Sequence, residues 1–211
     1  MSAEGVLSHA EDDDTDTGVG SGKLAVWLFL ASEVMFFAGL ICSYIVLRYG
    51  LGSQWPDPSS KLNVPLTALN TFILICSSVT MVKALSAAHR NDKHGVIVWL
   101  GCTILFGMFF LSVQAYEYNL LWHGHPAHGE HPAQPPLTPW GSLFGGCFYS
   151  MTGFHGAHVS GGVVWLLCLF YQAVVHKKYN AQNFLPIELA GLYWHFVDLV
   201  WIILFTIVYL I

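Results

Sequence analysis

Five long apolar segments constrain the fold of this chain more than any other feature of its sequence. A helix that crosses the hydrocarbon core of a bilayer needs about 20 predominantly apolar residues, and each segment is close to or above that length. Only 10% of the 211 residues are charged, whereas soluble domains contain about 25%. We therefore predict an all-α, polytopic membrane protein, a bundle of five transmembrane helices. The predicted spans are approximately 23–47, 64–87, 95–113, 140–175 and 187–211, the fourth starting a turn or two after Trp140.

The first 22 residues differ sharply from the rest of the chain. Five acidic residues lie between Glu11 and Asp16, which is the opposite of the cationic start of a cleavable signal peptide. Residues 1–22 are therefore predicted to form an acidic, disordered or extended N-terminal tail, and residues 23–211 the five-helix transmembrane domain. The net charge of −5 comes mainly from this tail and gives no support for nucleic-acid binding.

The lysines and arginines predict how the chain is oriented in the membrane. Cytoplasmic loops carry an excess of these residues. If the N-terminus is cytoplasmic, only Arg48 and Lys61 of the eight basic residues fall outside. The other six are Lys23, Lys83, Arg90, Lys93, Lys177 and Lys178. We therefore predict a cytoplasmic N-terminus and an extracytoplasmic C-terminus.

The fourth span opens with two histidines, His155 and His158, set among small residues. Helix positions i and i+3 share a face, so both imidazoles are expected to point the same way. Small residues let another helix approach closely, and a polar stripe inside a membrane is costly unless it is covered. We expect the last span, a neighbouring subunit or a lipid to cover it. The candidate packing residues are Gly153, Gly156, Gly161 and Gly162.

Carboxyl groups also occur within the predicted spans. Glu33 lies about ten residues, or ~15 Å, into the first span, where it serves either as a helix–helix hydrogen bond or as a proton- or lipid-linked site. His195 and Asp198 give the last span a polar face, and His195 lies at a depth similar to that of Glu33. A Glu33–His195 contact, direct or through Asp198, is therefore geometrically feasible. Glu188 is expected near the headgroup level.

The loop after the third span is rich in histidine and proline. Its composition resembles a metal site, but the prolines favour an extended segment without a fixed scaffold. We therefore favour weak or adventitious metal binding over a functional centre. The histidines concerned are His123, His125, His128 and His131. For His155, His158 and His195, hydrogen bonding and packing are favoured over metal or haem ligation.

The end of the third span carries Gln114, Glu117 and Tyr118. We place these residues at the outer interface, where polar and aromatic side chains are common, and assign them no special role.

Five stretches that touch all five spans carry a family resemblance. They are WLFLASEVMFFAG (27–39), LNTFILICSSVTM (69–81), QAYEY (114–118), MTGFHGAHVSGG (151–162) and ELAGLYWHFVDLVW (188–201). Together, and in this order, they resemble subunit III of the haem–copper oxidases, most closely that of the cytochrome c oxidases.

The resemblance implies a non-catalytic accessory subunit of a respiratory complex that reduces dioxygen to water and pumps protons. It implies that haems and copper reside in subunits I and II and none in this chain. Subunit I is the expected main contact, and further expected partners are subunit II, a small subunit IV, membrane phospholipids and a respiratory supercomplex. Cytochrome c would reach the complex through the other subunits. The expected location is the bacterial cytoplasmic (inner) membrane.

The resemblance also carries over to single residues. Glu33 matches the family's buried carboxylate, and His155, His158, His195 and Asp198 match its HGxHV and WHFxDxVW positions. The subunit is expected to hold phospholipid between its helices and to sustain proton uptake and complex stability.

One departure concerns the number of spans. The long form of the family has seven, of which the first two form one wall of a lipid-filled cleft, whereas this chain begins at the third. Either the cleft is open here or helices of another subunit supply that wall.

Three alternatives remain open from the sequence. The first is subunit III of a quinol oxidase, although the SEV pattern at Glu33 favours cytochrome c as the electron donor. The second is an independent transporter that relays protons through Glu33, His195 and Asp198. The third is a stand-alone metalloenzyme that uses the histidine-rich loop.

Overall fold

The computed structural model describes residues 20–56, 62–124, 136–175, 179 and 182–210. Residues 1–19, which make up most of the predicted acidic tail, lie outside this range, and so do His125, His128 and His131 of the loop. The described helices are α1 (Ser21–Leu51), α2 (Val64–His89), α3 (Lys93–His123), α4 (Leu143–Val175) and α5 (Leu185–Phe205).

All five helices are long and apolar enough to cross a membrane, which confirms the predicted fold class. A short 3-10 turn, Gly52–Gln54, follows α1, and one π-helical turn, Thr206–Leu210, continues α5.

Local sequence signals set the helix boundaries. The Asn63 side chain accepts a hydrogen bond from the Leu66 amide at 3.3 Å and caps α2, and Asp92 Oδ1 accepts from the Gly95 amide at 2.9 Å and caps α3. Between α2 and α3 the chain turns through Arg90–Asp92, with Asn91 in the left-handed region at φ 58°. Because this turn is so short, α2 and α3 are antiparallel neighbours.

The fourth helix begins at Leu143, within a turn of Trp140, as the sequence predicted. The Ser142 hydroxyl accepts a hydrogen bond from the Gly145 amide at 3.0 Å and so satisfies one of the free amides of the first turn.

Helix α5 lies at the centre of the bundle, where it packs against α1, α2 and α4. Helix α3 packs against α2 and α4 on the other side. Helix α1 is peripheral, because the only residues that it buries are Leu30, Phe37 and Tyr44. Their spacing of seven residues forms one narrow stripe, and the rest of α1 faces outward.

The starts of α1 and α5 and the α2–α3 turn lie at one end of the molecule, which we call the basic end. There Lys23 Nζ donates to Glu188 Oε1 at 2.7 Å, and the ring of His89 lies 4.2 Å from that of Phe184, between centroids. The Lys23–Glu188 pair is partly exposed on both sides, so it contributes no more than about 1 kcal/mol.

Two glycines on different helices make room for one indole ring. A Cβ added to Gly107 on α3 would lie 2.7 Å from Trp194, and one added to Gly162 on α4 would lie 2.9 Å from it. The Trp194 Nε1 donates to the Ser77 hydroxyl of α2 at 2.9 Å. One side chain of α5 therefore contacts all three of these neighbours.

The other packing glycines have different surroundings. A Cβ at Gly156 would lie 2.9 Å from the Gln114 amide oxygen, so this glycine makes room for a polar side chain. At Gly153 and Gly161 the nearest atoms would be 3.7 and 3.8 Å away, which is ordinary contact distance. Two of the four candidate packing glycines, Gly156 and Gly162, therefore admit large side chains from α3 and α5, and the other two do not.

We expect Gly162→Ala to lower the free energy of unfolding by about 1–3 kcal/mol, because the added methyl group would push against the Trp194 ring. Gly161→Ala is the matched control, and its stability should be unchanged or slightly raised. Denaturant titration of the purified protein in detergent, followed by tryptophan fluorescence, measures both. Equal midpoints for the two variants would contradict the tight fit around Trp194.

Candidate functional site

Glu33 on α1 and His158 on α4 form a hydrogen-bonded pair inside the bundle. His158 Nε2 lies 2.9 Å from Glu33 Oε2, and the two side chains are 18% and 17% exposed. His158 Nδ1 lies 2.7 Å from the Phe154 carbonyl of its own helix. A carbonyl only accepts, so Nδ1 carries a proton, and the Nε2–Oε2 bond holds one further proton between the two groups. Wherever that proton lies, the pair has no net charge, which suits a membrane interior.

Three helices hold this pair in position. The Phe37 ring of α1 lies 5.2 Å from the His158 ring, edge to face. From α5, the Tyr193 hydroxyl donates to the His158 backbone carbonyl at 2.9 Å, and its ring stacks on Phe29 at 6.2 Å. The pair therefore fixes α1 against α4 while α5 supports both.

The contact between Glu33 and His195 that the sequence allowed is not formed in the structure, because His195 faces a different helix. His195 Nδ1 lies 3.1 Å from the Ser78 hydroxyl of α2, and that hydroxyl donates to Asp198 Oδ2 at 2.8 Å. Tyr193 contacts α1, and His195 is two residues, or about 200°, further round the helix. Glu33 and His195 lie at similar depths but do not meet. Glu33 is on α1, on one side of α5, whereas His195 projects from the other side of α5 toward α2.

The two histidines of α4 also have different neighbours. His155 is fully buried, stacked on Trp201 of α5 at 4.8 Å and in edge contact with Phe110 of α3 at 5.8 Å. His158 instead faces α1. Three residues turn a helix by about 300°, which leaves the two rings roughly 60° apart. In this closely packed bundle that angular difference places the His155 ring against α3 and α5 and the His158 ring against α1.

Glu117 is a buried carboxyl group that we placed at the outer interface. Its Oε1 accepts from the Thr67 hydroxyl of α2 at 3.2 Å, and its Oε2 accepts from the Tyr209 hydroxyl of the π-helical turn at 3.2 Å. Gln114 is buried as well, and its Nε2 donates to the Thr152 carbonyl at 2.8 Å. Assigning these residues no special role therefore missed contacts between helices, and their level in the membrane stays a prediction.

A helical signal for this burial was present in the sequence. Gln114, Glu117, Tyr118 and Leu121 follow an i, i+3, i+4, i+7 spacing, which marks one face of a helix. That spacing predicts a single face turned toward the bundle, whereas polarity alone suggested the membrane surface.

No group of three or more His, Cys, Asp or Glu side chains converges within the part of the chain that the structure describes. His123, the one loop histidine in this part, has its Nδ1 2.9 Å from the Asn119 carbonyl of its own helix. Metal binding by the remaining loop histidines stays a prediction.

Comparison with known proteins identifies the family. The family model described as cytochrome c oxidase subunit III matches residues 1–211. The chain belongs to the cytochrome c oxidase subunit III family. Among individual relatives, a probable cytochrome c oxidase subunit 3 of Mycobacterium tuberculosis is 42% identical over 187 residues, covering 88% of this chain and 85% of the relative. A cytochrome c oxidase subunit 3 of Thermostichus vulcanus is 36% identical over 187 residues, covering 89% and 86%.

Family membership confirms the resemblance seen in the sequence. As a subunit III protein with five membrane-spanning helices, the chain is a multi-pass membrane protein of an oxidase-subunit family. The Glu33–His158 and Ser78–Asp198 contacts described above link helices of this subunit III protein.

We expect Glu33→Ala to destabilise the protein by about 1–3 kcal/mol, because it leaves His158 Nε2 without a partner in a mostly buried site. Glu33→Gln should cost less, since the amide still reaches that nitrogen. Met35→Ala, at an exposed position of the same helix, controls for the loss of a side chain. The thermal unfolding midpoint of the purified protein in detergent measures all three. A Glu33→Ala midpoint as high as that of Met35→Ala would argue against the pair.

Proposed function

We propose that this chain is the non-catalytic accessory subunit of a bacterial, proton-pumping cytochrome c oxidase, packed on the haem-bearing subunit I. The observation that carries the proposal is the match of the subunit III family model to the whole chain. The relatives named above are described as cytochrome c oxidase subunits 3, which favours cytochrome c over a quinol as the donor to the complex.

The way the membrane histidines are used supports an accessory role. Both ring nitrogens of His158 lie within hydrogen-bond distance of Glu33 and Phe154. His195 Nδ1 is bonded to Ser78, and the His155 ring is enclosed between aromatic rings. A haem site needs imidazole nitrogens directed into an open pocket of the subunit. His155 and His158 do not fit that requirement, and Nε2 of His195, unbonded within the described residues, faces outward. We therefore place haem and copper in the partner subunits.

For proton uptake, the Glu33–His158 pair is the candidate group on this chain. Its shared proton can move between oxygen and nitrogen without creating net charge, so the pair can adapt to a nearby change of charge at little cost. Because the pair also fixes α1 against α4, its loss would affect complex stability as well as proton uptake.

Orientation is supported by the ends of the helices. Lys23, Arg90 and Lys93 all lie at the basic end, which we place on the cytoplasmic side by the positive-inside rule. The C-terminus then lies outside the cytoplasm. We propose the bacterial cytoplasmic membrane as the location, since the relatives come from bacteria.

A groove between α1 and the start of α4 is the candidate phospholipid site. It encloses a cavity of about 380 Å³ at the end of the bundle opposite the basic end, within the size range of ligand sites. Its walls are mostly apolar, with several small residues. The residues that line it include Leu40, Ser43, Leu143, Gly146, Cys147 and Met151. We propose that an acyl chain of a membrane phospholipid occupies it.

Purification of the complex in mild detergent through a tag on this chain tests the main proposal. We expect haem absorbance in the purified material and oxygen uptake with reduced cytochrome c as donor. Oxygen uptake with a quinol alone would place the chain in a quinol oxidase. A colourless protein that runs alone, from cells whose membranes contain assembled oxidase, would contradict the proposal.

The lipid site is tested by Ser43→Phe, which we expect to fill the groove and remove about one tightly bound phospholipid per complex. Ser32→Phe, at an exposed position of α1 outside the groove, is the matched control and should leave the lipid count unchanged. Native mass spectrometry of the purified complex gives the count. Equal lipid content in the two variants would place the bound lipid elsewhere.

A further inference from the structure

His195 differs from the other polar groups of the bundle because one of its ring nitrogens is left open toward the outside. Its Nδ1 is bonded to Ser78. Within the described residues Nε2 makes no hydrogen bond, and it is not among the buried unpartnered atoms, so it reaches the surface. Glu33 and His158 are also partly exposed, but they satisfy each other.

Hydrogen-bond directions show what this open nitrogen requires. The Ser78 hydroxyl gives its only proton to Asp198 Oδ2, so its oxygen accepts from His195 Nδ1–H. A neutral imidazole that carries its proton on Nδ1 has an acceptor at Nε2. A group that meets His195 from outside the chain must therefore offer a hydrogen-bond donor.

The depth of His195 restricts what that group can be. It lies ten residues after Leu185, the first residue of α5, which is ~15 Å at the rise of an α-helix. The hydrocarbon core of a bilayer is about 30 Å thick, so His195 lies near its middle. Lipid headgroups do not reach this level, and acyl chains carry no donor. The group must come from protein.

Two packed helices leave a groove along their contact, and near His195 that groove is flanked by one row of side chains, or ridge, on α2 and one on α5. On α2 the exposed residues nearest Ser78 are spaced i, i+4, i+7. On α5 the half-buried His195 and the exposed Leu199 and Ile202 repeat this spacing near Asp198. Because α2 and α5 run in opposite directions, both ridges lie on the same side of the Ser78–Asp198 contact. The ridges are Ile75, Val79 and Val82 on α2, and His195, Leu199 and Ile202 on α5.

We propose that a transmembrane helix of the haem-bearing oxidase subunit docks in this groove between α2 and α5, with a donor side chain hydrogen-bonded to His195 Nε2. Ridges and grooves of this kind are how helices pack, and a single polar contact helps to hold helices together inside a membrane. The inference rests on the proposed function for the identity of the partner, and it assigns the surface and the anchor residue.

Photo-crosslinking in native membranes tests the docking surface without changing His195. A benzophenone amino acid replaces Leu199 in the groove and, in a separate strain, Val164, an exposed residue of α4. We expect an adduct with the haem-bearing subunit from position 199 that is at least tenfold more abundant than from position 164. Adducts from position 199 with lipid only, or with a second copy of this chain, would overturn the inference, as would a stronger adduct from position 164.

Substitution of His195 tests the anchor. His195→Phe removes the acceptor, and we expect about tenfold less of this chain to remain with the haem-bearing subunit after a detergent challenge. His195→Gln, which offers an amide oxygen, should restore most of the retention. Equal retention in the wild type and in the Phe variant would overturn the anchor.

The two proposals fail in different ways. If haem does not co-purify with the wild-type chain, the proposed function fails. If haem co-purifies but position 199 gives no adduct with the haem-bearing subunit, only the docking surface fails.

Discussion

The arrangement of the bundle depends on where one indole ring lies. Trp194 enters a slot that exists only because Gly107 and Gly162 lack side chains, and its ring nitrogen is bonded to Ser77. In a bilayer, lipid tails are as apolar as leucine, so helices associate through close packing and hydrogen bonds and not through hydrophobic burial. Trp194 supplies both kinds of contact to three helices at once. The positions of α2, α3 and α4 along the membrane normal are therefore set by their common fit to α5.

The buried polar groups reinforce this fit at several depths, and each joins different helices. Asp198 joins α5 to α2 through Ser78, Glu33 joins α1 to α4 through His158, and Glu117 joins α3 to α2 through Thr67. A membrane interior offers no water to such groups, so hydrogen bonds to neighbouring helices stabilise them there. Side chains that would be catalytic candidates in a soluble enzyme are used here to connect helices, which is in line with the proposed accessory role.

The sequence predicted the number of spans and the start of the fourth helix because the bilayer permits few solutions for an apolar segment. The position of each polar residue along its helix also followed from the sequence, since it depends only on the rise per residue. The sequence did not predict which neighbouring helix each polar side chain faces. His195 points to α2, away from Glu33, and Glu117 faces inward, because such contacts depend on where neighbouring helices lie. The slot for Trp194 depends on glycines from two other helices, and no local pattern in α5 indicates it.

Helix α1 contacts the rest of the bundle differently toward its two ends, so the protein surface differs between the levels of the two leaflets. Near the basic end α1 is fixed to α5 by Lys23–Glu188 and by the stacking of Phe29 on Tyr193. Beyond the Glu33–His158 pair, α1 and the start of α4 flank the groove. Under the proposal that an acyl chain occupies this groove, the chain would enter from the leaflet at the end opposite the basic end. Exchange of the proposed lipid would then involve one leaflet of the membrane and leave the packing at the basic end unchanged.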